Sequence, residues 1–251
     1  MLMTLGEYLK YAFLMLFRPH SLKTMEWRML RLLNEDRKRH GLKPVRMQEN
    51  LRKVARKHSE DMARQDYFDH VNLKSESPSD RLKGARVSDV VSGENLAKVG
   101  GYKNPTQFAE DGLMNSPGHR ANILNAAYNV VGIGVVRNER GVYFFTQNFA
   151  RRALIFDKKL PKRVGLRGGL RLKGRNFSKV STILCQVKRP KLDTVLHQEQ
   201  FEVRGESFSI RIPFKERGIY EISLFVGKNS SDSDFVLANR FTVKVGRFLW
   251  W

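Results

Sequence analysis

The chain has 251 residues, of which 41% are hydrophobic and 10% aromatic, and it carries 46 Lys and Arg against 25 Asp and Glu. That length allows one large domain or two ordinary ones, and the apolar content excludes disorder throughout. A single cysteine, Cys185, excludes an intrachain disulfide framework and a Cys-rich zinc module, while the formal net charge of +21 points to anionic partners.

Residues 1–24 form an apolar N-terminal segment. Its longest uninterrupted apolar run, Tyr11–Phe17, is far short of the roughly 20 residues that span a bilayer. No small-x-small site follows, so a cleaved signal is not expected. Leu2, Leu5, Leu9, Ala12, Phe13 and Leu16 share one helical face. Two readings stand: a helix docked on the folded body, or an interfacial membrane anchor with Lys10, Arg18 and Lys23 at the head groups.

Residues 25–154 read as mixed α/β. Met29, Leu32 and Leu33 lie on one face of a helix that stops near His40-Gly41. Asn50 is expected to cap a second helix whose inner face is Leu51, Val54, Ala55, His58 and Met62. Ser77-Pro78, Asn104-Pro105 and Ser116-Pro117 each open a short helix, with Pro at the first helical position. Asn129–Arg137 and Val142–Phe149 form a β-hairpin around Asn138-Glu139-Arg140-Gly141, where Gly141 is expected to need positive φ.

Residues 155–251 lose helical periodicity. Phe208, Ile210, Ile212 and Phe214 alternate with polar residues, and the same alternation runs through Ile183–Val187, Tyr220–Val226 and Phe241–Val245. Short strands at close intervals predict a β-sandwich, and Gly218-Ile219-Tyr220 suggests the tyrosine corner of Ig-like sandwiches. Charge is uneven. Residues 26–155 hold 23 basic and 15 acidic side chains, and residues 156–251 hold 20 and 9. Lys158–Lys191 holds 12 basic residues and no acidic one.

Four of the six histidines are set aside: His20 in a connector, His40 at a helix end, His58 on a helix and His197 in a charged loop. His70 and His119 remain, with Glu94 between them in Ser92-Gly93-Glu94-Asn95. Two imidazoles and a carboxylate can bind zinc or activate its water, although this spacing matches no local zinc motif. The plainer reading has His119 at a helix end and Glu94 accepting backbone hydrogen bonds.

Five segments occur in order: Phe68-x-His70, Gly93-Glu94-Asn95-Leu96-Ala97, Asn115-Ser116-Pro117-Gly118-His119-Arg120-Ala121-Asn122-Ile123-Leu124, Gly132-Ile133-Gly134-Val135 and Tyr143-Phe144-Phe145-Thr146-Gln147-Asn148-Phe149. Together they resemble the CAP superfamily of cysteine-rich secretory proteins, insect antigen 5 and plant pathogenesis-related proteins, and most closely its disulfide-free bacterial branch. The resemblance covers residues 26–150. It implies an α+β fold: a three-layer α-β-α sandwich with a cleft lined by His70, Glu94 and His119, followed here by the Ig-like β-sandwich. Where the family carries a second Glu this chain has Ser116, and where it carries a Trp this chain has Leu113. A divalent ion such as zinc is the one cofactor the cleft suggests. Asn95, Ser116, Asn122 and Gln147 are the expected supporting residues.

The favoured function is a non-enzymatic module for a lipid or small molecule at an extracellular or cell-envelope surface. The alternatives are a hydrolase in the same cleft, with Glu94 as base or Ser92 or Ser116 as nucleophile, and a polyanion binder using Lys158, Lys159, Lys162, Arg163, Arg167, Arg171, Lys173 and Arg175. Only Phe177 interrupts the basic segment with a ring, so anionic membrane or wall polymer is preferred over nucleic acid as its partner.

Overall fold

The structure is a computed structural model that describes residues 9, 21–90, 92–190, 192, 194–227 and 235–246. Apart from Leu9, the expected N-terminal face lies outside the described residues. The chain divides into two compact units, 1–87 with 91–151 and 88–90 with 152–251.

In the first unit, helix α1 (Leu22–Arg39) begins where the Ser21 hydroxyl accepts the Thr24 amide at 3.1 Å. It ends with Arg37, Lys38 and Arg39 at the negative end of its dipole. Strand β1 (Arg46–Met47) is followed by α2 (Glu49–Gln65), α3 (Pro78–Gly84) and β2 (Ser92–Val99). Then come α4 (Pro105–Asn115), α5 (Pro117–Ile123), β3 (Val130–Arg137) and β4 (Tyr143–Ala150). The residue at the N-cap of α2 is Gln48 rather than the expected Asn50. Asn50 lies inside the first turn, where its Oδ1 accepts the Leu51 amide at 3.0 Å. Gly141 adopts φ +81 in the β3–β4 turn, as its position requires.

The sheet order is β1-β3-β4-β2, parallel at β1/β3 and antiparallel elsewhere. Alternation along β3 and β4 sorts side chains to two faces. Val131, Ile133, Val135, Phe145 and Phe149 pack with residues of α1, α4 and α5. On the other face Phe144 and Leu96 pack with Met62 of α2. Here β3 presents Gly132 and Gly134, and a Cβ on Gly134 would lie 2.2 Å from the Arg56 amide nitrogen of α2. The helix therefore rests directly on the strand, and the three layers are α-β-α. A buried carboxylate, Glu26 of α1, ties the arrangement together by accepting from Arg52 and Arg56 of α2 at 2.5–2.6 Å.

Among the described residues the second unit holds eight strands: β5 (Leu154–Phe156), β6 (Arg163–Gly165), β7 (Leu170–Asn176), β8 (Thr182–Lys188), β9 (Val195–Glu202), β10 (Ser207–Ile212), β11 (Gly218–Gly227) and β12 (Val236–Gly246). They form one sheet of order β10-β7-β5 and another of order β6-β12-β11-β8-β9. Leu170, Leu172, Phe208 and Ile210 of the first share a single core with Ile183, Cys185, Ile222, Leu224 and Val243 of the second. The Tyr220 hydroxyl donates to the Glu216 carbonyl at 3.0 Å. His197 sits on β9, not in a loop, and lies 3.2 Å from a Glu199 oxygen. Residues 88–90 belong to this unit because Asp89 pairs with Asn239 and forms a buried ion pair with Arg152 at 2.5 Å.

Candidate functional site

The site is built around Glu94. Strand β2 places its carboxylate inside the first unit, with the side chain 2% exposed. Oε1 accepts from His70 Nδ1 at 2.9 Å, and Oε2 accepts from Arg81 Nη2 at 2.7 Å. Burying a carboxylate is costly unless it is paired and hydrogen-bonded, and both oxygens are.

Arg81 comes from α3, whose start is fixed by a capping box between Ser77 and Asp80. Its Nη1 also donates to the carbonyls of His70 and Glu76, at 2.8 and 2.9 Å. One guanidinium thus pins the 66–77 loop at both ends of the His70 segment and neutralises Glu94. Within that loop, Asn72 Oδ1 accepts the amides of Lys74 and Glu76, and Asp69 Oδ1 accepts that of Val71.

His58 lies beneath, on the inner face of α2 and fully buried. Its Nε2 is 3.1 Å from the Asp69 carbonyl and 3.9 Å from Glu94 Oε1. Burial lowers its pKa, so the neutral ring donates to Asp69 from Nε2 and leaves Nδ1 buried without a partner among the described residues. The hydrogen bond to Glu94 raises the pKa of His70 above its ordinary value. Burial, then the neighbouring His70 charge, lowers that of His119 on α5. The same bond fixes the His70 tautomer and leaves Nε2 as the ring atom that can meet a ligand.

The supporting residues form a buried amide chain. Asn122 Nδ2 donates to Asn95 Oδ1 at 2.9 Å and to the Glu94 carbonyl at 3.3 Å. Asn95 Nδ2 donates to the His119 carbonyl and to Gln147 Oε1, both at 3.1 Å. Gln147 Nε2 donates to Glu110 Oε2 at 2.8 Å. The network thus ties the backbones of Glu94 and His119 to one another. Ser116 sits at the junction of α4 and α5 and makes no side-chain capping bond. Among the described residues no hydrogen bond joins Ser92 or Ser116 to a histidine ring.

The far end of the chain, Glu110, titrates unusually. Burial, with Asp36 nearby, raises its carboxyl to about 8 from 4.5. Between those values the folded state keeps a proton that the unfolded state has released, so this group makes stability fall as pH rises. Glu110→Gln keeps an acceptor for Gln147 and removes the titration. The melting temperature of E110Q should exceed that of the wild type at pH 9, and the gap should close at pH 4. Parallel curves across that range would show Glu110 to be an ordinary carboxylate.

Glu94 is not free to ligate a divalent cation, because both of its oxygens are engaged and the Arg81 charge stands against one of them. Among the described residues no group of three or more His, Cys, Asp or Glu is placed to hold a metal ion. Arg81, His58 and Glu110 are functional neighbours that sequence reasoning missed. His58 carried a signal, because helical periodicity puts it inward with Leu51, Val54 and Met62.

The three-layer α-β-α arrangement, with a buried glutamate bonded to a histidine, defines a class of α+β sandwich. Residues 30–149 match the cysteine-rich secretory protein family, CAP, and this unit is a CAP domain of that family. The chain is 40% identical over 120 residues to "uncharacterized protein YkwD" and 39% identical over 129 residues to "uncharacterized membrane protein YlbC", both of Bacillus subtilis. These matches take in 48% and 51% of this chain but only 46% and 35% of the two relatives. A solved extracellular protein from Bacillus anthracis containing an SCP domain is 32% identical with a TM-score of 0.47, covering 52% of this chain and 41% of its own. An outer surface protein of Borrelia burgdorferi is 20% identical with a TM-score of 0.48, over 53% and 96%.

Proposed function

We propose that the CAP unit is a non-enzymatic binding module for an amphiphile such as a fatty acid, working at an extracellular or envelope surface. One observation carries this reading. The loop that holds His70 against Glu94 also exposes Phe68, Val71 and Leu73, at 45%, 46% and 63%. An amphiphile can lay its chain on these three side chains and place its polar head against His70, whose raised pKa suits a carboxylate. The formal charge of +21 suits an anionic surface, and among the described residues no helix is long and apolar enough to cross a membrane. The two-sheet unit is read as an Ig-like accessory domain, on the strength of the Tyr220 bond.

The hydrolytic reading has one supporting feature, the Glu94–His70 dyad, which leaves Nε2 as a potential base. It lacks a hydroxyl poised on that nitrogen among the described residues, so binding is preferred.

Displacement of a fluorescent C16 fatty acid tests the proposal. Leu73→Asp removes apolar area worth about 1.5–3 kcal/mol, so affinity should fall at least about tenfold. Equal affinities in wild type and variant would overturn it.

A further inference from the structure

The three-stranded sheet of the second unit carries a cationic face that its folding does not explain. Along β7 the side chains alternate, with Leu170, Leu172 and Asn176 buried and Arg171, Lys173 and Arg175 exposed. The antiparallel register sets β10 beside them: Arg211 opposite Arg171, Ser209 opposite Lys173 and Ser207 opposite Arg175. Arg211 Nη2 also reaches the Arg167 carbonyl at 3.4 Å, which joins the β6–β7 turn to the same face. Two arginines directly across a ladder repel. Among the described residues no salt bridge joins Arg171, Lys173, Arg175 or Arg211 to a carboxylate. That includes Asp157, whose amide continues the register by donating to the Lys173 carbonyl.

We infer that this face is a binding site for a linear polyol-phosphate polymer lying along β7. Side chains two residues apart on a strand are spaced roughly 7 Å. A polymer with six backbone bonds per phosphate, as in a glycerol-phosphate chain, extends by about two peptide residues per repeat, so successive phosphates meet Arg171, Lys173 and Arg175 in step. Ser207 and Ser209 add hydroxyl donors beside the two upper cations. The chemistry is shared with single-stranded nucleic acid. Among the described residues, however, the face offers no ring for base stacking, because Phe156 and Phe208 pack against each other in the core. Of the other basic residues in this stretch, Lys158, Lys159 and Lys162 lie in the segment between β5 and β6, outside the β7/β10 ladder.

Fluorescence anisotropy of the full chain with labelled poly(glycerol phosphate) tests this. Arg171→Thr/Lys173→Thr/Arg175→Thr should weaken binding at least 30-fold and lower the slope of log affinity against log salt by about 2. Lys158→Thr/Lys159→Thr/Lys162→Thr removes the same charge and should cost less than threefold. Equal losses would show net charge alone at work and overturn the site. Arg211→Thr should raise the melting temperature, by relieving the repulsion, while weakening the polymer. A lowered melting temperature with unchanged binding would make the face structural. Tighter binding to oligo(dT), or to vesicles with 30% phosphatidylglycerol and not to the polymer, would overturn the polyol-phosphate assignment.

Discussion

Arg81→Met is expected to destabilise the CAP unit by about 3–5 kcal/mol, the range found when one partner of a buried ion pair is removed. The substitution keeps most of the side chain's apolar volume and deletes three bonds: one to Glu94 Oε2 and two to the carbonyls of His70 and Glu76. Glu94 would then sit buried with His70 as its remaining strong partner. Because the His70 pKa is raised in the folded state, that compensation is present at low pH and lost as pH rises through the folded value. The loss in R81M should therefore deepen between pH 5 and pH 8. Urea denaturation followed by the buried Trp27 reads it out, and Lys83→Met, an exposed change on the same helix, serves as control. A midpoint within error of wild type at both pH values would show that Arg81 does not hold the site. Partial recovery in Arg81→Lys is expected, since one ammonium can restore the charge but not the fork of bonds.

Gly134→Val should prevent the CAP unit from folding. Even a Cβ at this position would lie 2.2 Å from the Arg56 nitrogen and 2.4 Å from the Ala55 carbonyl carbon, both main-chain atoms of α2. No rotamer change relieves such a clash, so the helix must lift off β3, and the cost exceeds the roughly 1–3 kcal/mol of ordinary overpacking. Lifting α2 also pulls Arg52 and Arg56 from Glu26, Ser59 from Thr146 and His58 from Asp69. Gly112→Ala is the contrasting case. Gly112 lies within α4, a Cβ there meets nothing within 4 Å, and the change should stabilise by about 0.5–1 kcal/mol. Limited proteolysis and circular dichroism distinguish the two variants. A G134V chain as protease-resistant as the wild type would refute direct contact of helix and strand.

Much of this architecture is legible in residue patterns. The period-2 runs of the second unit emerge as β8, β10, β11 and β12, since one buried face per strand is enough to specify them. Pro-led helices start where Ser77, Asn104 and Ser116 stand. The pairing of His70 with Glu94 was reachable only through the ordered CAP motifs, because 24 residues separate them and no local spacing links them. Arg81 is one of 46 cations, and nothing in its neighbourhood distinguishes a pinning guanidinium from a solvated one. Glu110 was hidden for the opposite reason. Its partner Gln147 is 37 residues away, and a lone Glu on a helix ordinarily faces water. The site depends on long-range register, which periodicity does not encode.

Glu94 is committed to Arg81 and His70, so the proposed site should offer an amphiphile imidazole and apolar side chains rather than a free carboxylate for a metal. NMR of the His70 and His119 ring nitrogens and the Val71 and Leu73 methyls, titrated first with laurate and then separately with zinc, tests it directly. Laurate should shift all four sets of resonances together, and zinc should leave the two rings unmoved. Saturable zinc shifts at His70 and His119, with the methyls indifferent to laurate, would contradict the account.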